Sequence, residues 1–185
     1  GGGPRLTETP DTIQLTYEMG RIAGLYLAEG TVCLRSTEPR TPSNVRFAVH
    51  EREVQRTLDW LAPYSDYYSS THVAANKDSK TRVVIVYGKA FATFISRLCG
   101  RAKDKHFPKG WWNTNPEFVR GIVHGYLAGD GHSSRDMCRV SVASIRVSLI
   151  ISLRDALAAL GYGWSTIRYQ EGGNNYGRNC KDIWI

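Results

Sequence analysis

At 185 residues the chain is long enough for one ordinary domain or two small ones sharing a core. Its 42% hydrophobic and 22% charged residues are those of a globular protein in water, and it contains neither an apolar run of about 18 residues nor a basic-then-apolar start, which excludes a membrane helix and a signal peptide and implies an intracellular setting, whether cytoplasm, nucleoid or organelle matrix. The net charge is +7, with an isoelectric point near 9.4, and the surplus is local. Lys77, Lys80, Arg82, Lys89, Arg97, Arg101, Lys103, Lys105 and Lys109 face only Asp78 and Asp104 within residues 77–109. A basic concentration of this kind points to nucleic acid as the partner.

In chain order, Gly1-Gly2-Gly3 reads as a processing scar or the cut edge of a longer polypeptide, and residues 1–11 as an irregular lead-in. Asp11 or Thr12 is placed to cap a helix running to Glu29, which Gly30 stops as a left-handed residue. Residues 31–37 and 44–49 alternate at the period of two expected of half-buried strands, joined by the turn-rich stretch Glu38–Ser43. Val45, Phe47 and Val49 face a core; Asn44, Arg46 and Ala48 face the other way, and Arg35 shares the polar side with Arg46. Val54, Leu58 and Leu61 place a helix over 51–61, ended by Pro63. Residues 67–74 and 80–87 form a second hairpin around Asn76–Ser79, with Val83, Ile85 and Tyr87 on one face. Phe91, Phe94, Ile95 and Leu98 then set a helix over 90–99 that ends at Gly100.

The first half, residues 12–99, thus reads αββαββα. After a basic, aromatic linker over 100–115 the same order resumes in residues 116–185: a helix over 116–130, a strand near His132, another over 139–144, a helix over 145–160 stopped by Gly161, and a hairpin from 162–170 and 178–185 around Glu171–Asn175. The second half ends without a closing helix. The fold class is therefore α+β, two similar αββαββα units built on antiparallel sheets.

The repeat is also visible residue by residue. Tyr17–Gly30 overlays Phe118–Gly131 at a constant offset of 101, and each copy ends in a carboxylate followed by glycine, Glu29-Gly30 and Asp130-Gly131. Small residues recur every fourth position, Gly20, Gly24 and Ala28 in one copy and Gly121, Gly125 and Gly129 in the other. On a helix these form one stripe, so two such helices can meet with their backbones in contact. Interior glycine costs roughly 1 kcal/mol against alanine, and a seam between the two helices is the simplest compensating reason. Parallel alignment then brings Glu29 and Asp130 to the same end, where each opposes its helix macrodipole. Like charges at ~4 Å repel by about 4 kcal/mol at an effective dielectric of 20. A divalent cation reverses both penalties, and two carboxylates with water and phosphate oxygens suit Mg²⁺.

Ile22-Ala-Gly-Leu-Tyr-Leu-Ala-Glu-Gly30 and Val123-His-Gly-Tyr-Leu-Ala-Gly-Asp-Gly131 resemble the two motifs of LAGLIDADG homing endonucleases, and Lys105-His-Phe-Pro108 resembles the K-x-hydrophobic-P block that precedes the second motif in intein-encoded and related members. The resemblance spans the chain from about residue 12 onward. It implies a monomer with internal pseudo-twofold symmetry whose sheets form a saddle over double-stranded DNA. It implies Mg²⁺-dependent hydrolysis, with Mn²⁺ able to substitute, of both strands at a long, nearly palindromic target, leaving short 3′ overhangs. Carried over by position, Glu29 and Asp130 match the metal-binding acids, with Ala28 and Gly129 beside them in the ligand set. Lys105 matches the linker lysine that positions or deprotonates water or stabilises developing charge, and Lys89 is a second candidate for such a role.

Glu29 stands where Asp is commoner in the family. The second half has no counterpart of Lys105, Lys181 being its only lysine after the motif, so one active centre is expected to be weaker and to give nicking before full cleavage. Period-two placement selects Arg35, Asn44, Arg46, Lys80, Arg82, Arg139, Ser141, Arg168, Gln170 and Arg178 as DNA readers. Trp111, Trp112 and Trp164 read as packing residues, the five histidines show no paired ligand spacing, His124 reads as structural, and Cys33, Cys99, Cys138 and Cys180 read as reduced, buried thiols. The alternative to cleavage is a binding-only regulator or an intron RNA maturase on the same fold. With no N-terminal nucleophile and no terminal His-Asn, an intein origin would make this an excised or free-standing endonuclease domain.

Overall fold

A computed structural model describes residues 10–34, 42–75, 79–133, 140–144, 146–163, 166–170 and 180–184, with the side chains of 168–170 and 180–184 left aside. Arg35, Arg139, Arg178, Cys138 and Trp164 lie outside the described residues. The chain divides into two compact units, residues 1–14 with 31–97 and residues 15–30 with 98–185. The motif helix of the first copy thus groups by its contacts with the second copy.

The first unit carries a four-stranded antiparallel sheet made of β1 (Gly30–Cys33), β2 (Asn44–His50), β3 (Ser70–Ala75) and β4 (Thr81–Tyr87), in the order β1-β2-β4-β3. Helices α2 (Val54–Leu61) and α3 (Lys89–Cys99) accompany it. Val45, Phe47, Val84 and Val86 are fully buried, and Trp60, Leu61, Phe91 and Ile95 complete the core. The apolar alternation of β2 follows the expected period, with one exception. Asn44 is buried because its amide is used internally: Nδ2 donates to the Pro42 carbonyl at 2.7 Å and Oδ1 accepts from Arg46 Nε at 3.0 Å.

The second unit holds α1 (Tyr17–Glu29), α4 (Pro116–Asp130), α5 (Val147–Ala159) and a sheet of β5 (Gly131–Ser133), β6 (Val140–Ser144), β7 (Thr166–Gln170) and β8 (Cys180–Trp184), in the order β5-β6-β8-β7. Its strand order reproduces that of the first sheet. Helix α4 starts where Asn115 and Pro116 place it, the Asn115 side chain accepting from Glu117 N at 2.9 Å. Gly100 and Gly161 close α3 and α5 at φ of +72° and +84°, the left-handed conformation that glycine adopts without strain.

β3 and β7 begin later than expected, at Ser70 and Thr166, and both ends of the first motif helix differ from expectation. Helix α1 begins at Tyr17, with Thr16 as its cap accepting from Met19 N at 3.3 Å, because the buried helical face starts at Met19; upstream, the Thr12 carbonyl accepts from the Tyr67 hydroxyl at 2.6 Å. Gly30 is not left-handed: its backbone is extended at φ −87° and ψ 153°, so α1 runs straight into β1. Glycine is needed there for space, since a Cβ would strike the Tyr26 ring and lie 2.6 Å from Tyr26 Cα.

Two side chains, Trp112 and Cys33, also depart from their sequence assignments, while His124 does not. Trp112 is 68% exposed while Trp111 is buried against Phe107, because the 3-10 turn at Trp111–Asn113 sends successive side chains in different directions. His124 is exposed and held by the Tyr17 hydroxyl. Cys33 is an exposed free thiol, whereas Cys99 is fully buried and burial pushes its thiol pKa up. Among the described residues no helix is long and apolar enough to cross a membrane.

Candidate active site

The site is built at the C-terminal ends of α1 and α4, which cross with their backbones touching. A Cβ on Gly20 would lie 2.9 Å from the Gly121 Cα, and one on Gly121 would lie 2.9 Å from the Gly20 Cα. One on Gly24 would strike the Ile122 carbonyl oxygen and come within 2.6 Å of the Tyr126 nitrogen; one on Gly129 would reach 2.7 Å from the Ala28 Cβ. Gly125 is equally confined, against the Arg21 backbone. This side-chain-free contact carries Glu29 and Asp130 together, close enough for a side-chain hydrogen bond between the two carboxyls.

Burial raises the Asp130 carboxyl above its ordinary range, against the opposing pull of the hydrogen bond from Glu29, the charge of Lys105, the neighbouring Tyr126 hydroxyl and the charge of Arg146. Two acids can approach this closely without a cation when one of them is protonated and donates to the other.

Lys105 lies inside this site, only 7% exposed. Its ammonium donates to the Tyr26 carbonyl at 2.7 Å and the Leu27 carbonyl at 3.2 Å, and it stands 4.8 Å from the centre of the Tyr26 ring. It therefore caps the end of α1 with a positive charge where the macrodipole is negative. Burial, then the Arg146 charge, lowers its pKa to about 8, so the group is still mostly protonated at neutral pH. The turn that carries it is anchored twice more: the Tyr26 hydroxyl donates to the Gly100 carbonyl at 2.7 Å, and Arg146 Nη2 donates to the Ala102 carbonyl at 2.8 Å.

Arg146 and Tyr126 were not selected by sequence reasoning. Arg146 sits at the junction of β6 and α5, outside the alternating strand pattern that nominated the other arginines. Tyr126 lies four residues before Asp130 on α4 and is 1% exposed. The i to i+4 spacing was the available signal for it, but an aromatic in a motif helix reads as core.

The remaining sequence candidates divide by unit. Lys89 opens α3 in the first unit, exposed, where it lines a cavity of about 780 Å³ with Asp11, Asp66, Tyr67, Tyr68 and Arg97. Arg46 is exposed on the sheet face opposite the core and pairs in register with Ile85, which pairs with His72. Arg82 is not on that face. It is paired with Val49, a core residue, and residues opposite each other in an antiparallel pair share a face. It sits at the strand end instead, bonded to Glu51 at 2.9 Å and the Ser79 carbonyl at 2.7 Å. Asn44, being buried, orients Arg46 rather than meeting solvent. Lys80 is exposed in the turn before β4. In the second sheet Val142 marks the core side, and Ser141 alternates to the other face beside His132. By register, Arg168 (opposite Asp182) and Gln170 (opposite Cys180) occupy positions on the face of Ser141.

The fold is shared with solved structures of LAGLIDADG proteins. The homing endonuclease I-DmoI in complex with DNA and calcium superposes with a TM-score of 0.71 at 11% identity, covering 94% of this chain and 84% of that one. The N-terminal LAGLIDADG domain of WhiA superposes at 0.59 and 11% identity, over 97% of this chain and 80% of that one. No protein-family model matches the chain. In sequence it is 29% identical over 150 residues, 80% of its length, to the DNA-directed RNA polymerase subunit Rpo1C of Methanocaldococcus jannaschii. It is 24% identical over 166 residues to the ATP-dependent DNA helicase Hel308 of Thermococcus kodakarensis, and 28% identical over 190 to the iron-sulfur cluster assembly SufBD family protein Mb1496 of Mycobacterium bovis. The chain spans only 16%, 14% and 22% of those three proteins.

The described residues contain no group of three or more His, Cys, Asp or Glu side chains set to hold a metal. The donors that are present, two carboxylates at helix ends where main-chain carbonyls such as those of Ala28 and Gly129 also emerge, are hard oxygens. They fit Mg²⁺ in the form it prefers, one or two carboxylates with water and substrate phosphate completing the shell.

Proposed function

We propose that the chain is a divalent-metal-dependent endonuclease that cuts both strands of DNA at a specific sequence. The observation that carries this reading is the close approach of Glu29 and Asp130 at the end of a seam with almost no side chains in it. Nothing in the stability of the fold asks for two acids at that point. A cation and a phosphate do.

When bound, Mg²⁺ supplies Lewis-acid stabilisation of phosphate charge and a water of lowered pKa. The chain's own residues do the rest. Glu29 and Asp130 hold the cation and orient water for in-line attack on phosphorus; the P–O3′ bond breaks, leaving a 3′ hydroxyl and a 5′ phosphate. Lys105, with two of its N–H groups committed to Tyr26 and Leu27, stabilises charge and fixes the end of α1. Arg146 adds a second positive charge near Asp130 and Lys105. Arg46 in the first sheet, and Ser141, Arg168 and Gln170 in the second, read bases, with exposed lysines on phosphate.

The sequence relatives support a mobile origin. A polymerase subunit, a helicase and an assembly protein have different named functions, yet each matches 80% or more of this chain, as expected of an intein-type insert that carries its own endonuclease. The test is Mg²⁺-dependent cleavage of a DNA library by wild type, Glu29→Gln and Asp130→Asn. Binding without cleavage by the wild type would favour the regulator reading instead.

A further inference from the structure

The two acids are not equivalently supported. Glu29 has Lys105 on the carbonyls of its own helix. One turn before Asp130 stands Tyr126, whose hydroxyl is fully buried and makes no hydrogen bond of normal geometry. Side chains on a helix lean toward its N-terminus, so Asp130 tilts back over the turn that carries Tyr126. The residue at the matching position in the first copy, Leu25, is equally buried and has no polar atom. The Tyr26 hydroxyl, one residue further on in that copy, is already committed to the Gly100 carbonyl.

A buried donor left unpaired is destabilising, and native interiors keep few of them. Hydrophobic packing does not explain it, since phenylalanine would fill the same volume without the penalty. The hydroxyl lies against Asp130 and Ser144. Carboxylates that ligate a metal are in turn hydrogen-bonded, and those partners fix which oxygen faces the cation.

Resting on the metal-dependent reading above, we propose that Tyr126 is a positioning residue for Asp130: with the Asp130 carboxylate turned from Glu29 toward a bound cation, the Tyr126 hydroxyl would donate to its outer oxygen and set its orientation. In the metal-free structure the hydroxyl is near Asp130 without a hydrogen bond of normal geometry; in the metal-bound state it would make one.

The test is Tyr126→Phe, which removes one oxygen and nothing else. Mn²⁺ is titrated into wild type and variant by calorimetry, with and without a mixed-sequence DNA duplex, and melting is followed in EDTA. The expected result is Mn²⁺ binding weakened by roughly tenfold or more, the usual cost of losing such a partner, with a melting temperature in EDTA equal to or above that of the wild type. Equal Mn²⁺ affinity in the two proteins, when the wild type binds, overturns the role of Tyr126 and leaves the metal-dependent reading standing. A variant that melts lower in EDTA shows the hydroxyl to be structural and overturns the proposal. A wild type that binds no Mn²⁺ under either condition overturns the metal-dependent reading and this proposal with it.

Discussion

Gly24→Ala probes the seam on which the acid site rests. The added Cβ would strike the Ile122 carbonyl oxygen and sit 2.6 Å from the Tyr126 nitrogen. Both are backbone atoms, so no rotamer change relieves the clash and the helices must separate. Overpacking of this kind costs about 1–3 kcal/mol, and with no flexible neighbour the upper end applies. Against it stands a gain of roughly 1 kcal/mol from the better helix propensity of alanine. The net is a loss of about 2 kcal/mol, or a fall of about 4–8 °C in melting temperature for a chain of this size. Because α1 and α4 carry one acid each, the same change also weakens divalent-metal binding. Gly110→Ala is the control: its φ of +68° disfavours alanine, but nothing lies within 4 Å of the new Cβ, so it loses stability without touching metal affinity. Thermal melts and Mn²⁺ titrations of the two variants decide the matter. A Gly24→Ala protein as stable as wild type would refute the close contact.

Other consequences concern charge. Lys105→Met is expected to lower the cleavage rate, and Lys105→Arg to restore it only in part, because a planar guanidinium cannot place one point charge between the Tyr26 and Leu27 carbonyls; full rescue by arginine would contradict the capping role. In EDTA, stability should fall as pH rises from the ordinary carboxyl value of 3.8 through the raised value of Asp130, since the native state holds the extra proton over that window. It should recover between pH about 8 and the ordinary lysine value of 10.5, by on the order of 3 kcal/mol, because there the unfolded state holds the extra proton. Denaturant titrations of Asp130→Asn and Lys105→Met should each erase one limb. Arg46→Ala should change which DNA sequences are selected from a library, whereas Arg82→Ala should change stability through Glu51 and leave selection alone; the reverse result would put the reading face on the wrong side of the first sheet.

Local chemistry made much of the fold legible. Asn115-Pro116 and Gly131 bound α4, and Gly100 and Gly161 end their helices by the left-handed conformation that only glycine takes easily. The errors came where one residue type serves two physical purposes. Gly30 was assigned to a left-handed cap, but it is there because Tyr26 leaves no room for a Cβ. Arg82 and Asn44 fell on a polar parity in their strands; pairing with Val49 puts Arg82 on the core side, and Asn44 uses its amide to seal a strand end and hold Arg46. Around the acids, the repeat led directly to Glu29 and Asp130 because a duplicated carboxylate at a disfavoured helix end is visible in one dimension. Arg146 and Tyr126 were not, because their relevance arises from a turn and a burial that only the folded chain supplies.

The most direct measurement is cleavage of a DNA library with Mg²⁺ by wild type, Glu29→Gln and Asp130→Asn, with binding followed in parallel. The account predicts that the wild type cuts defined sites and that both variants bind those sites without cutting them. Variants that cut as well as wild type, or a wild type that binds and never cuts, would contradict it.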